Sequence, residues 1–187
     1  MPYVVKNILK QSIPVFMLCS IGGIVAGLLL EGIKNDLTKV PGLFILLPAV
    51  LGMRGNISGA LGSRLASALH LGLIQPELRW NRTLSRNLAA SLILNTLMAI
   101  FSGIIAYYAY NLAGYGGELE ASILHLTLIS LIAGVGAGFL LSILTVSLAL
   151  LTYSKGLDPD NVLAPSLATV GDIVTVACLL GAVNVVT

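Results

Sequence analysis

Residues 158–186 read DPDNVLAPSLATVGDIVTVACLLGAVNVV, and after Asp160 the run holds a single carboxylate, Asp172, among aliphatic and small side chains. Asp158-Pro159-Asp160 has the chemistry of a helix start. It offers an acceptor at the cap, a proline in the first turn and a second negative charge at the positive end of the helix dipole. That is reason enough for both aspartates; an accessory ion-binding role at the inner mouth is the alternative. Counted from Pro159, Asp172 lies about 20 Å along a helix, close to the middle of a hydrocarbon layer ~30 Å thick. An ionised side chain at that depth costs at least ~2.5 kcal/mol and faces protein, water or an ion. The segment therefore reads as a spanning helix with a task, and passage of a cation is the first chemistry to consider.

The rest of the chain agrees. Of 187 residues, 57% are hydrophobic and 10% charged, where a soluble domain carries about a quarter charged. The apolar residues come in unbroken runs instead of a repeating face. An integral, multi-pass protein of the cell membrane is expected, with residues 1–187 forming one domain. A net charge of +2 gives no reason to expect nucleic acid as a partner. Cys19 and Cys178 fall inside apolar runs and read as small buried hydrophobes. No His-x-x-x-His, Cys-x-x-Cys or phosphate-binding glycine loop is present. Lys6 and Lys10 precede an apolar run that could mimic a secretory signal. That run reaches the ~20 residues of a spanning helix and lacks an Ala-x-Ala site, so it reads as a retained first helix.

Five spanning segments account for the sequence: about Gln11–Leu30, one within Val40–Gln75, then about Asn87–Asn111, Ser122–Ser154 and Pro159–Val186. Basic residues set the orientation. With the N-terminus inside, Lys6, Lys10, Arg79, Arg82, Arg86 and Lys155 are inside, against Lys34 and Lys39 outside. The Tyr115–Glu120 loop is acidic. The fold expected is all-α, with five transmembrane helices, N-terminus inside and C-terminus outside. The Asn81–Thr83 sequon is then cytoplasmic and unglycosylated.

The second segment would be about 54 Å long as one continuous helix. Two crossings would invert the charge bias, so a single long crossing with a bend or an overhang is expected. Gly52-Met53-Arg54-Gly55-Asn56 is the natural place for a break, since glycine weakens a helix and Asn56 can bond freed backbone groups. Such breaks occur where they line a cavity or pack in protein. The fourth segment is also long, so tilt or a kink near Gly134–Gly138 is expected. Small residues at four-residue spacing (Gly23/Gly27, Gly55/Gly59/Ser63/Ser67, Gly134/Gly138) suit close helix packing. For the Gly55–Ser67 series, pore lining competes with packing.

Around the carboxylate, Ser166, Thr169, Asp172 and Thr175 recur every third residue, an oxygen-rich stripe, and Pro165 frees a backbone carbonyl one turn into the membrane. These are hard oxygen ligands, suited to Mg²⁺, Ca²⁺ or Mn²⁺. Because Mg²⁺ gives up water reluctantly, a site poor in carboxylates could hold the hydrated ion. The competing readings are a structural Asp172, neutral or paired with Arg54 or Arg64, and proton transfer. A two-fold dimer would set two carboxylates about one axis, matching one divalent charge.

Residues 48–67, PAVLGMRGNISGALGSRLAS, resemble the first signature of solute carrier family 41, magnesium transporters related to bacterial MgtE. Residues 158–172, DPDNVLAPSLATVGD, resemble the second. The resemblance implies a Mg²⁺-transporting homodimer with its pore at the subunit interface. Asp172 would be its pore carboxylate, Asn56 the polar residue of the broken second segment, and Thr169 would lie one turn away. MgtE has glycine where this chain has Arg54, and further amides where it has Gly59 and Ala60. Arg54 is closer to the solute carrier pattern. The nucleotide-binding-like regulatory modules of MgtE have no counterpart here, so sensing by that route is not expected. The animal carriers hold two such units per chain, which implies pairing with an identical or similar chain.

Arg54 and Gly55 are thus candidate pore or gating residues. Arg54 could repel cations, pair reversibly with Asp172, rest against a static partner or snorkel toward a mouth. Arg64 is expected to point at a helix neighbour or the inner interface. An intramembrane aspartyl protease would need two carboxylates sharing a proton, and only Asp172 is mid-membrane, so no enzyme is expected. A Na⁺- or H⁺-coupled exchanger and a non-transporting membrane subunit are the alternatives to a simple cation pathway. His70 and His125, near segment ends, suit interfacial hydrogen bonds.

Overall fold

Three glycines with left-handed backbones stop three of the long helices. Gly72 (φ 70°), Gly114 (φ 79°) and Gly156 (φ 69°) each stand two residues beyond a last helical residue, where only glycine takes positive φ without cost. At the other ends, the Asn81 Oδ1 accepts from Leu84 N at 2.7 Å and the Ser122 Oγ from His125 N at 3.4 Å, satisfying first-turn donors.

The elements so bounded are α1 (Pro2–Gly32), α2 (Lys34–Lys39), α3 (Leu43–His70), α4 (Arg82–Leu112), α5 (Ile123–Ser154) and α6 (Pro159–Val186). The computed structural model describes residues 2–32, 34–77, 79–115 and 122–187; Glu118 and Glu120 of the acidic loop lie outside them. Five of the helices are long and apolar enough to cross a membrane. The described residues contain no strand. This is an all-α, multi-pass membrane protein.

α5 is the central helix, packed against α3, α4 and α6, while α1 lies on the outside against α6. Close approach is made by small residues. A Cβ on Gly134 would come within 2.7 Å of the Ala99 Cβ, one on Gly138 within 2.6 Å of the Asn95 Cγ, and one on Gly103 within 2.5 Å of the Thr127 Cα. The Ser130 Oγ donates to Ala99 O at 2.7 Å across the same α4–α5 seam. Gly134 and Gly138 are thus packing residues. Gly23 and Gly27 are not, because nothing of this chain lies within 4 Å of a Cβ placed there. α1 meets α6 instead through Gly22, where a Cβ would overlap the Thr169 Cγ2.

Two apolar clusters fill the bundle. One gathers Leu43, Leu46, Val50, Leu126, Ile129, Val176 and Leu179; the other Leu61, Leu65, Leu69, Val146, Leu150, Leu163 and Leu167. Along α3 and α6 the gap between them contains Arg54 and the Gly171–Asp172 pair.

Several boundaries move. α1 extends to Pro2 and α4 begins at Arg82, so Lys6, Lys10, Arg82 and Arg86 sit on helices. Long basic side chains allow this by reaching for the interface. The second segment crosses once, and its excess length falls in the links on either side of α3 and not in a break. Residues 52–56 are helical throughout; glycine lowers helix stability by only ~1 kcal/mol, too little to interrupt a helix held by packing on both sides. α5 likewise runs unbroken through Gly134–Gly138 for 32 residues. α6 starts at Pro159 as its cap sequence predicts. Asp158 pairs with His70, Oδ1 to Nε2 4.0 Å, and the His70 ring meets Tyr153 edge-on.

Candidate functional site: a carboxylate backed by a buried arginine

Arg54 is the largest fully buried side chain and, among the described residues, the only buried charge. It projects from α3 into the gap between the apolar clusters, where its Nη2 donates to the Asp172 Oδ1 at 3.2 Å. The ion pair is lopsided in exposure: the Arg54 side chain is 0% exposed, the Asp172 side chain 47%. Arg54 therefore does not snorkel; its partner is the mid-membrane carboxylate. The Nε and Nη1 of Arg54 have no hydrogen-bond partner.

Gly171 makes this approach possible. A Cβ there would overlap the Arg54 Nη1 and stand 3.1 Å from the Cζ. The Gly171-Asp172 dipeptide is thus a receptor for the guanidinium, the glycine supplying space and the aspartate charge. In the sequence Gly171 had not stood out for this role. The available signal was a glycine directly before an intramembrane acid, with an arginine in another apolar segment.

Asp172 lies on the open side of α6. Ala164 and Ala168, at four-residue steps before it, are both exposed, and residues so spaced share a helix face. On α3 the exposed positions between residues 48 and 63 are Pro48, Ala49, Gly52, Asn56, Ala60 and Ser63. Asn56 points outward on it, exposed, with no hydrogen bond to Asp172. Gly52, Gly55 and Gly59 have nothing of this chain within 4 Å of where a Cβ would be. α1 presents large apolar residues: Phe16, Met17, Leu18, Ile21, Ile24 and Leu28 are all exposed, a face made for lipid.

The oxygen stripe is not one face. At about 100° per residue, steps of three drift, so Thr175 ends up half a turn around the helix from Ser166. Thr175 is fully buried and donates to Gly171 O at 2.8 Å. Thr169 donates to Pro165 O at 3.1 Å while its methyl packs on Gly22 of α1. Ser166 and Pro165 are half-buried. Arg64 reaches a helix neighbour, Nη2 to the Ser91 Oγ at 3.1 Å. Cys19 and Cys178 are free. Among the described residues no group of three acidic, histidine or cysteine side chains converges.

The family model of MgtE, described as a divalent cation transporter, matches residues 47–182, which include both sides of the Arg54–Asp172 pair. The chain is 32% identical over 170 residues to solute carrier family 41 member 2 of Gallus gallus, covering 88% of this chain and 29% of that protein. The human member 2 is 31% identical over the same shares. Member 3 of Rattus norvegicus is 28% identical over 181 residues, 94% of this chain and 38% of that protein. The chain thus spans less than two-fifths of the length of these relatives. Five apolar spans and a family match running from α3 through α6 lead to one conclusion: the chain belongs to the MgtE family of divalent cation transporters.

Proposed function

We propose that this chain carries divalent cations, Mg²⁺ foremost, across the cell membrane along a path at the interface of two copies, with Asp172 as the central carboxylate. Residues 1–187 act as one transport domain, N-terminus inside and C-terminus outside. The observation that carries the reading is the half-exposed Asp172 carboxylate at mid-span. Lipid cannot solvate it, so its open side is covered by protein, water or an ion. The glycines of α3 support a second copy as the cover. Each glycine weakens a helix by ~1 kcal/mol relative to alanine, yet nothing within this chain occupies the space beside Gly52, Gly55 and Gly59. Close approach of another helix explains them.

Around a two-fold axis, two Asp172 carboxylates face one ion, with Asn56 and Ser166 near its path and Thr169 at its edge. The absence of a three-carboxylate cage within the described residues suits an ion that keeps its water. The Arg54 pair is the observation favouring a second reading, a non-transporting subunit in which the salt bridge is structural. Flux decides between them. Proteoliposomes holding the protein should take up Mg²⁺, with Mn²⁺ and Ca²⁺ as comparisons, and Asp172→Ala should reduce uptake to the level of empty vesicles. Uptake that persists in Asp172→Ala would favour a different path. Dependence on an imposed Na⁺ or H⁺ gradient identifies an exchanger.

A further inference from the structure

We infer that Arg54 is a fixed counter-charge that keeps cation binding at Asp172 weak enough for the ion to leave. The inference rests on the Asp172 pathway proposed above and adds what sets its affinity.

Three observations point this way. Burial is asymmetric: the guanidinium is sealed inside the bundle at 0% exposure while the carboxylate side chain is 47% exposed. The arginine and an incoming cation therefore address the same carboxylate from opposite sides. Next, the guanidinium is wedged against the Gly171 backbone, where even a methyl group would overlap it. The structure thus holds it in the α3–α6 seam, and we take it as a fixed charge and not as a moving plug. Finally, its Nε and Nη1 are unpartnered. Buried polar groups are normally bonded, and an apolar side chain of similar volume is often as stable as a buried ion pair. Stability alone therefore explains Arg54 poorly. What this placement does deliver is a permanent positive charge one side chain behind the site.

The consequence follows from charge. Repulsion scales with the product of the charges, so at equal distance a divalent ion feels twice the opposition a monovalent one does. Two bare carboxylates on an axis would hold a divalent cation tightly. Passage requires binding strong enough to admit the ion and weak enough to release it. Two Arg54 side chains, one per copy, move the site from the first condition toward the second.

The test is initial Mg²⁺ uptake against Mg²⁺ concentration in proteoliposomes of the full chain, for wild type, Arg54→Gln, Arg54→Lys, Gly171→Ala and Asp172→Asn. Arg54→Gln should lower the half-saturating concentration by about tenfold or more and lower the maximal rate, because release slows. Arg54→Lys keeps the charge without the planar fork and should stay within about threefold of wild type. Unchanged or raised half-saturation in well-reconstituted Arg54→Gln would overturn the inference in favour of a structural arginine. Lowered half-saturation with a raised maximal rate would overturn it in favour of a mobile plug. Should Arg54→Gln fail to fold, Gly171→Ala carries the test. Its methyl displaces the guanidinium from the carboxylate with both charges retained, and half-saturation should again fall; no change would count against the inference. Asp172→Asn separates this inference from the reading beneath it. Uptake surviving in Asp172→Asn defeats the pathway itself, whereas uptake lost there with Arg54→Gln unchanged defeats only the counter-charge.

Discussion

Arg54 and Asp172 are separated by 118 residues in sequence and joined by one hydrogen bond, so each depends on the other for its place. Removing one charge leaves the other unpaired in a poor solvent. Asp172→Asn should therefore lower thermal stability in detergent, by ~1–3 kcal/mol for the stranded guanidinium. The Arg54→Gln/Asp172→Asn double variant should recover part of that loss, since neither charge is then orphaned, while Mg²⁺ uptake stays absent. A melting series on the four proteins checks the coupling. Additive losses with no recovery would mean the two side chains do not interact. Asp172 itself was legible as an anomaly from hydropathy and depth alone. Its partner stood only as one of several alternatives, Arg54 or Arg64: nothing local distinguishes an arginine that snorkels from one that turns inward, and the glycine that admits it reveals itself only when α3 and α6 are side by side.

At the scale of the helices, two sets of glycines with the same spacing have different physical roles. Gly138 faces the Asn95 amide across the α4–α5 seam, whereas Gly23 faces outward. Gly138→Val should destabilise the protein by ~1–3 kcal/mol through overpacking. Gly23→Val should shift stability by no more than ~0.5 kcal/mol. Thermal unfolding of the two variants compares them directly, and equal shifts would contradict the assigned packing. The spans were legible because lipid demands long apolar runs. The short α2 was not, since six residues carry no periodic signal. The expected break at Gly52–Asn56 did not form because packing outweighs the small helix penalty of glycine. The Ser166–Thr175 series failed as one face because a period of three is not the helix period of 3.6.

Taken whole, the molecule exposes two kinds of surface: α1 with its large aliphatic and aromatic residues, and the small residues of α3 and α6 together with Asp172. Two copies joined across the second would leave the first to the bilayer. In a background lacking Cys19 and Cys178, Ala60→Cys on α3 should cross-link between copies in membranes, and Ile24→Cys on α1 should not. The reverse pattern would place the interface elsewhere. Basic residues further predict that an N-terminal tag is protected and a C-terminal tag cleaved when protease is added to intact cells. The orientation follows from the placement of basic residues, whereas the faces that meet were not readable from any single segment, because they depend on what the fold leaves uncovered.

The central claim is that the open side of Asp172 borders water and not lipid. Ala168, one turn earlier on the same exposed face of α6, provides the probe. In the background without native cysteines, Ala168→Cys should react with a charged, water-soluble thiol reagent, and Mg²⁺ should slow that reaction. Labelling only by a membrane-soluble reagent, unaffected by Mg²⁺, would contradict the claim.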